Sequence, residues 1–182
     1  MTDAPKVWRG RFLEDLEVGD VYRSRIGRTI SEADNTWFTL LTCNTNQVHF
    51  NAEFAAGTRF GRTLVNSCLT LSIVVGLSVP DTSENATANL SWEEISLPNP
   101  VFAGDTLWAE SEVLSSRASR SRPTVGIVGV RTRGVNQRAE TVVEYRPIRK
   151  RLPKQRPAVV PDNARGRSSE SKGWMVARGR PV

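Results

Sequence analysis

Residues 64–79 constrain this chain more than any other stretch. Leu64, Val65, Cys68, Leu69, Leu71, Ile73, Val74, Val75, Leu77 and Val79 occupy positions that cover most of a helical circumference. A surface helix keeps its apolar side chains in one stripe, so a helix that is apolar nearly all round has to be enclosed by the rest of the fold. Asn66, Ser67, Thr70, Ser72 and Ser78 interrupt the run, which argues against a membrane span. Asn66 and Ser67 offer capping side chains at the helix start, where N–H groups lack partners within the helix. Residues 80–87 read as a loop of turn formers.

The enclosing element is predicted from a change of period. Residues 88–97, 106–115, 124–134 and 140–147 are β-like, with alternation clearest from Leu107 to Leu114. Pro98-Asn99-Pro100 with Gly104-Asp105, then Ser119-Arg120-Ser121-Arg122-Pro123, then Asn136-Gln137-Arg138 punctuate them as antiparallel connections require. Upstream, residues 21–30 read as a first strand after a Gly19-Asp20 turn. Ser31 is placed to cap a helix that runs to about Cys43, with Glu32 and Asp34 in its first turn and Trp37, Phe38, Leu40 and Leu41 as its apolar side. Asn51 is placed to cap a short helix, residues 52–56, that Gly57 stops. The order is strand, three helical segments, four strands. That order predicts an α+β domain whose antiparallel sheet wraps one long buried helix.

At 182 residues the chain holds one such domain, predicted over residues 11–153, with a ten-residue extension before it and residues 154–182 as a mostly irregular tail. A net charge of +6 suggests a polyanion partner only if the charge is spread along the chain. It is not: from Arg149 to the end there are ten Lys or Arg against two Asp or Glu, which leaves the preceding part slightly acidic. With aromatic residues sparse there and little to bury apart from Trp174-Met175-Val176, a solvated tail that packs locally along the body is expected, with no nucleic-acid partner. Cys43 and Cys68 lack metal-ligand spacing and are expected to pack in the core. Without an apolar leader near Met1, a reducing, cytoplasmic setting is expected, with neither membrane nor metal.

The chemistry-bearing stretch is Asn44-Thr45-Asn46-Gln47-Val48-His49-Phe50-Asn51, which holds the single histidine of the chain among amide side chains, on the loop between two helices. A lone histidine can be a satisfied structural group. Imidazole is also the side chain whose ordinary pKa, about 6.5, suits proton transfer near neutrality.

The segment from Leu41 to Asn51 resembles the signature of the MaoC-like, (R)-specific enoyl-CoA hydratase family, in which an Asp precedes x-Asn-Pro-aliphatic-His and an acidic residue. Pro100-Val101-Phe102-Ala103-Gly104-Asp105-Thr106-Leu107, Ala109-Glu110-Ser111-Glu112-Val113-Leu114, Ser121-Arg122-Pro123 and Thr132-Arg133-Gly134-Val135-Asn136-Gln137 resemble the branch with mesaconyl-CoA and related branched dicarboxylic enoyl-CoA hydratases. The resemblance spans about Gly10 to Arg151. Its implied fold is a single hotdog, in agreement with the order read from period alone. Asn44 stands at the Asp position and Gln47 at the Pro position, whereas Asn46 and His49 match.

The resemblance implies a homodimeric hydro-lyase that adds water to the β-carbon of a 2-enoyl-CoA, of branched or dicarboxylic type, with the CoA thioester as substrate and no cofactor. His49 is the expected catalytic base, with Asn44 orienting the water or the ring. N–H groups around Val65, Asn66 and Ser67 are the expected cradle of the thioester oxygen. Asn46 is a candidate substrate contact, and Arg120 and Arg122 are candidates for CoA phosphates or a second carboxylate. Asp34 and Glu53 are candidate substitutes for the missing carboxylate, although each also fits a helix first turn. Two other functions stay open: a non-catalytic acyl-CoA-binding subunit of a heteromeric hydratase, and an acyl-CoA thioesterase.

Overall fold

A computed structural model describes residues 8–153, apart from the side chains of 147–149. Most of the ten-residue N-terminal extension and the whole tail, with Trp174-Met175-Val176, lie outside the described residues. Six strands form a single antiparallel sheet: β1 (Val21–Arg23), β2 (Arg28–Thr29), β3 (Ala88–Ser91), β4 (Thr106–Ala118), β5 (Val125–Asn136) and β6 (Thr141–Pro153). The strand order is β1-β4-β5-β6-β3, and β2 also pairs with β4. Three helices, α1 (Glu32–Leu41), α2 (Ala52–Ala56) and α3 (Ser67–Thr82), lie between β2 and β3 in the chain. Helix α3 packs across β4, β5, β6 and β1 as the element the sheet wraps.

The alternation in β4 sets the faces. Leu107, Ala109, Ser111 and Val113 are buried toward the helix side. Outward-facing Glu110 instead takes a hydrogen bond from Arg133 Nε at 2.7 Å and lies 3.6 Å from Arg23 Nε, while Glu112 pairs with Arg131. Ile30, Val65, Leu69, Val74, Leu77, Val142, Val143 and Tyr145 form the main core under α3, and Leu16, Val113, Val128, Val130 and Leu152 a second cluster. Helix and sheet touch closely at Gly134, where an added Cβ would lie 2.4 Å from Val74 Cγ2.

Several elements differ from expectation. The first strand breaks into β1 and β2, because residues between them pass over Trp108 so tightly that a Cβ on Gly27 would meet its indole at 2.5 Å. Helix α3 starts at Ser67, with Asn66 Oδ1 accepting from Cys68 N at 2.9 Å, and runs past Pro80 to Thr82. Proline normally ends a helix because it removes one N–H and crowds the preceding turn. Here Leu77, Ser78 and Thr82 are buried on the same side of the last turns, which keeps the turn in place. The β-like run 88–97 pairs as a strand only to Ser91, and β6 extends to Pro153. Cys43 and Cys68 are exposed free thiols, not core residues.

Helix α1 reverses the expected facing. Ser31 caps it as predicted, accepting from Asp34 N at 3.1 Å while Asp34 Oδ2 accepts from Ser31 N at 2.8 Å. Yet Trp37, Leu40 and Leu41 are exposed, at 75%, 56% and 81%, and its buried residues are Asn35 and Thr39. Only Phe38 of the four apolar residues packs against the core. The inward face of α1 is polar because buried loop backbone must be hydrogen-bonded from somewhere. Among the described residues no helix is long and apolar enough to cross a membrane.

Candidate active site

After α1, the chain turns at Cys43 with φ 55°, and a series of amide side chains shapes the loop. Asn44 Oδ1 accepts from Asn46 N at 2.9 Å, and Asn46 Oδ1 accepts from Val48 N at 3.3 Å. Asn46 thereby caps a 3-10 turn, Gln47–His49. Asn51 Oδ1 caps α2 through Phe54 N at 3.1 Å, and its Nδ2 donates to Gln47 Oε1 at 2.6 Å. Each is a short side chain replacing a backbone partner, the usual reason for Asn in turns. They deliver His49 to a buried position, 9% exposed.

His49 Nδ1 lies 2.8 Å from the Leu64 carbonyl oxygen. A carbonyl oxygen only accepts, so Nδ1 carries the hydrogen and Nε2 of the neutral ring carries the lone pair. The ring is thus held in the tautomer that a base needs. The segment bearing Leu64 is itself clamped: Leu64 N donates to Val48 O at 3.0 Å, and Val65 N to Val101 O at 2.9 Å.

Asn35 joins these parts and was not singled out from the sequence. Its Nδ2 donates to His49 O at 2.7 Å and to Leu64 O at 3.1 Å, while its Oδ1 accepts from Asn66 N at 2.8 Å. One buried amide therefore ties α1 to the histidine turn and to the start of α3. Four residues on, Thr39 Oγ1 accepts from Asn66 Nδ2 at 3.3 Å. The available signal was Asn35 and Thr39 at i, i+4 spacing, two uncharged polar groups on one face of α1. Asn35→Ala leaves buried N–H and C=O groups without partners, and is expected to lower unfolding free energy by about 2–4 kcal/mol. Urea denaturation measures this, and a loss under about 0.5 kcal/mol would contradict the linking role.

The same bonds narrow the expected thioester cradle. Among the described residues, the N–H groups of Val65, Asn66 and Cys68 are occupied by Val101 O, Asn35 Oδ1 and Asn66 Oδ1. Ser67, the first residue of α3 and exposed, has no such acceptor on its N–H. A cleft of about 200 Å³ opens there, lined by Arg59, Phe60, Leu64, Ser67, Thr70 and Pro100 among others. A larger cavity, about 410 Å³, lies between the β1–β2 break and the later turns of α3, and none of the expected site residues line it.

Asp105 fixes the turn opposite Leu64. Leu64 and Phe102 form an isolated bridge, and Asp105 Oδ2 accepts from Phe102 N at 3.0 Å. Asp105 Oδ1 accepts from Gln137 Nε2 at 2.7 Å and Arg138 Nη1 at 3.0 Å. Burial alone would raise its pKa, but these three donors outweigh burial and hold the carboxyl below its ordinary range.

Not every expected site residue converges. Arg120 and Arg122 sit exposed on the β4–β5 hairpin. Thirteen residues of β4 separate that hairpin from the Phe102–Asp105 turn, about 40 Å of strand, so one chain does not bring them to His49. Asp34 is engaged at the cap of α1 and with Arg28 Nη2 at 2.8 Å, and its pKa is lowered mainly by the hydrogen bonds from Ser31. Glu53 is exposed in the first turn of α2. Among the described residues no hydrogen bond joins Asn44 to His49; with Asn44 Oδ1 engaged by the loop, its Nδ2 is the group left to act.

An antiparallel sheet wrapped around α3 agrees with what comparison with known proteins finds. Residues 15–136 match the family described as the MaoC like domain. The chain belongs to the MaoC-like family. It is 37% identical over 136 residues to the mesaconyl-CoA hydratase of Cereibacter sphaeroides, covering 75% of this chain and 39% of that protein. To the β-methylmalyl-CoA dehydratase of Chloroflexus aurantiacus it is also 37% identical over 136 residues, with coverage of 75% and 38%. This MaoC-like chain thus spans about two fifths of the length of these two relatives. The solved structure of a Mycobacterium tuberculosis protein described as a double hotdog superposes with a TM-score of 0.72 at 23% identity, covering 84% of this chain and 46% of that one, and confirms the hotdog fold.

Proposed function

We propose that this chain catalyses the reversible addition of water to a 2-enoyl-CoA thioester, of the branched or dicarboxylic type represented by mesaconyl-CoA. The observation that carries this reading is the His49 ring, its Nδ1–H committed to Leu64 O and its Nε2 left to accept a proton. In the forward step, water gives a proton to Nε2 as its oxygen bonds to the β-carbon. The electron pair of the double bond moves through the α-carbon to the thioester oxygen, where the Ser67 N–H at the positive end of α3 meets the growing charge. His49 then returns its proton to the α-carbon as the enolate collapses, so a single base serves both halves. Asn44 has no basic atom, and its Nδ2 holds the water in line.

The assembly proposed is a homodimer in the cytoplasm. Its support is the exposed apolar face of α1, with Trp37, Leu40 and Leu41, too greasy to leave in water. The experiment is steady-state hydration of crotonyl-CoA and mesaconyl-CoA, followed by loss of the conjugated thioester absorbance, with a thiol reagent present in parallel. Turnover without free thiol supports the hydratase. Thiol release identifies a thioesterase, and no turnover with any substrate at high protein concentration leaves a binding subunit.

A further inference from the structure

The cleft at the start of α3 carries an unassigned charge. Arg59 is the charged residue in its described wall; the rest is apolar or uncharged polar, including Leu64, Thr70, Leu97 and Val101. Its guanidinium lies 4.8 Å from the centroid of the Phe60 ring, and the guanidinium of neighbouring Arg62 lies 3.9 Å from that of Phe102. The two rings meet edge to face at 6.4 Å. Arg11, Arg23, Arg28, Arg131, Arg133, Arg138 and Arg146 all pair with carboxylates; among the described residues Arg59 and Arg62 pair with none. That is also true of Arg25, Arg117, Arg120 and Arg122, but Arg59 and Arg62 differ from those four in lying over aromatic rings.

This difference is chemical. A guanidinium over an aromatic ring is held by its flat face, which leaves its N–H edge unspent. That edge matches two oxygens of a carboxylate or phosphate in a bidentate pair. Uncharged walls around one cation offer an anion no competing negative charge, and the nearby N-terminus of α3 adds a positive potential of the same sign. The cleft, about 200 Å³, has room for a short acyl chain.

We infer that Arg59, supported by Arg62, binds an anionic oxygen group of the acyl-CoA at this cleft, either the distal carboxylate of the acyl chain or a phosphate of CoA. It rests on the hydratase reading for the thioester itself. The expected roles of Arg120 and Arg122 then fall to a different pair, on the loop between α2 and α3.

The test uses three unreactive ligands: succinyl-CoA, butyryl-CoA and butyryl-pantetheine, which lacks the CoA phosphates. Binding of each to the full-length wild type and to Arg59→Ala is measured by calorimetry. A tenfold or greater loss for succinyl-CoA, with butyryl-CoA changed less than twofold, establishes the carboxylate contact. Equal tenfold losses for both CoA esters, with butyryl-pantetheine unchanged, establish the phosphate contact. Overturning results are no change for any ligand, equal loss for all three, or no binding by the wild type. A wild type that binds in either supporting pattern but hydrates no enoyl-CoA sinks the hydratase reading while the anion site stands.

Discussion

The His49→Ala protein is expected to hydrate enoyl-CoA about 10²- to 10⁴-fold more slowly than the wild type, the range for removal of a positioned general base. In the proposed mechanism the substitution takes away the atom that receives the water proton and later returns it. It also frees the Leu64 carbonyl, which keeps the Asn35 donor at 3.1 Å and so is not left bare. Folding is therefore expected to survive, which thermal unfolding followed by circular dichroism confirms or denies. The companion change, Asn44→Asp, puts an acceptor carboxylate beside the proposed water and is expected to retain or raise turnover. Near-normal hydration by a folded His49→Ala protein places the chemistry elsewhere.

The second large effect concerns Lys150. It is 2% exposed, and its Nζ donates to Thr82 Oγ1 at 2.7 Å, with Thr82 in turn donating to Ser78 O at 2.7 Å. Among the described residues no carboxylate pairs with it, and burial pulls its pKa from 10.5 down to about 8. A base whose folded pKa is depressed penalises the folded state at every pH where the unfolded chain carries the proton. Below about pH 8 both states are protonated and the full penalty, about 3 kcal/mol, is present. Between about 8 and 10.5 the folded form is neutral first, and the penalty fades. Lys150→Met removes the charge but leaves Thr82 short of one donor, a loss of about 1 kcal/mol. The net gain expected at pH 7 is about 2 kcal/mol, falling to nothing or below by pH 10.5. Urea midpoints of both proteins across that range decide it: a gap that does not change with pH means that the ammonium is not the source.

Much of the architecture was open to reading from period alone. The run 64–79 packs against the sheet, with the Cys68, Ser72 and Gly76 face left exposed, and the alternation from Leu107 to Leu114 set the inner and outer faces of β4. The misreadings have a common physical origin in contacts that hydropathy does not encode. Gly27 breaks a strand because of the indole of Trp108, far along the chain, and Pro80 stays helical because its neighbours are buried. Helix α1 was turned the wrong way because its apolar residues were assigned to the inside of this chain. Asn35 went inward because the histidine turn needs a donor and the start of α3 an acceptor, and Thr39 because Asn66 Nδ2 needs an acceptor. In the site, the histidine stretch stood out by composition, whereas Asn35 and Arg59 emerge only when residues distant in sequence are brought together.

Leu64 serves the site through its peptide oxygen, the acceptor of both His49 Nδ1 and Asn35 Nδ2. Genetic drift in the side chain at this position does not touch that anchor. A change that rotates the peptide does, and proline at 65 is the sharpest example because it deletes the N–H held by Val101. The aim of the imidazole is therefore inherited through the course of the main chain, and two descendants with different residues at 64 still turn the same ring nitrogen the same way.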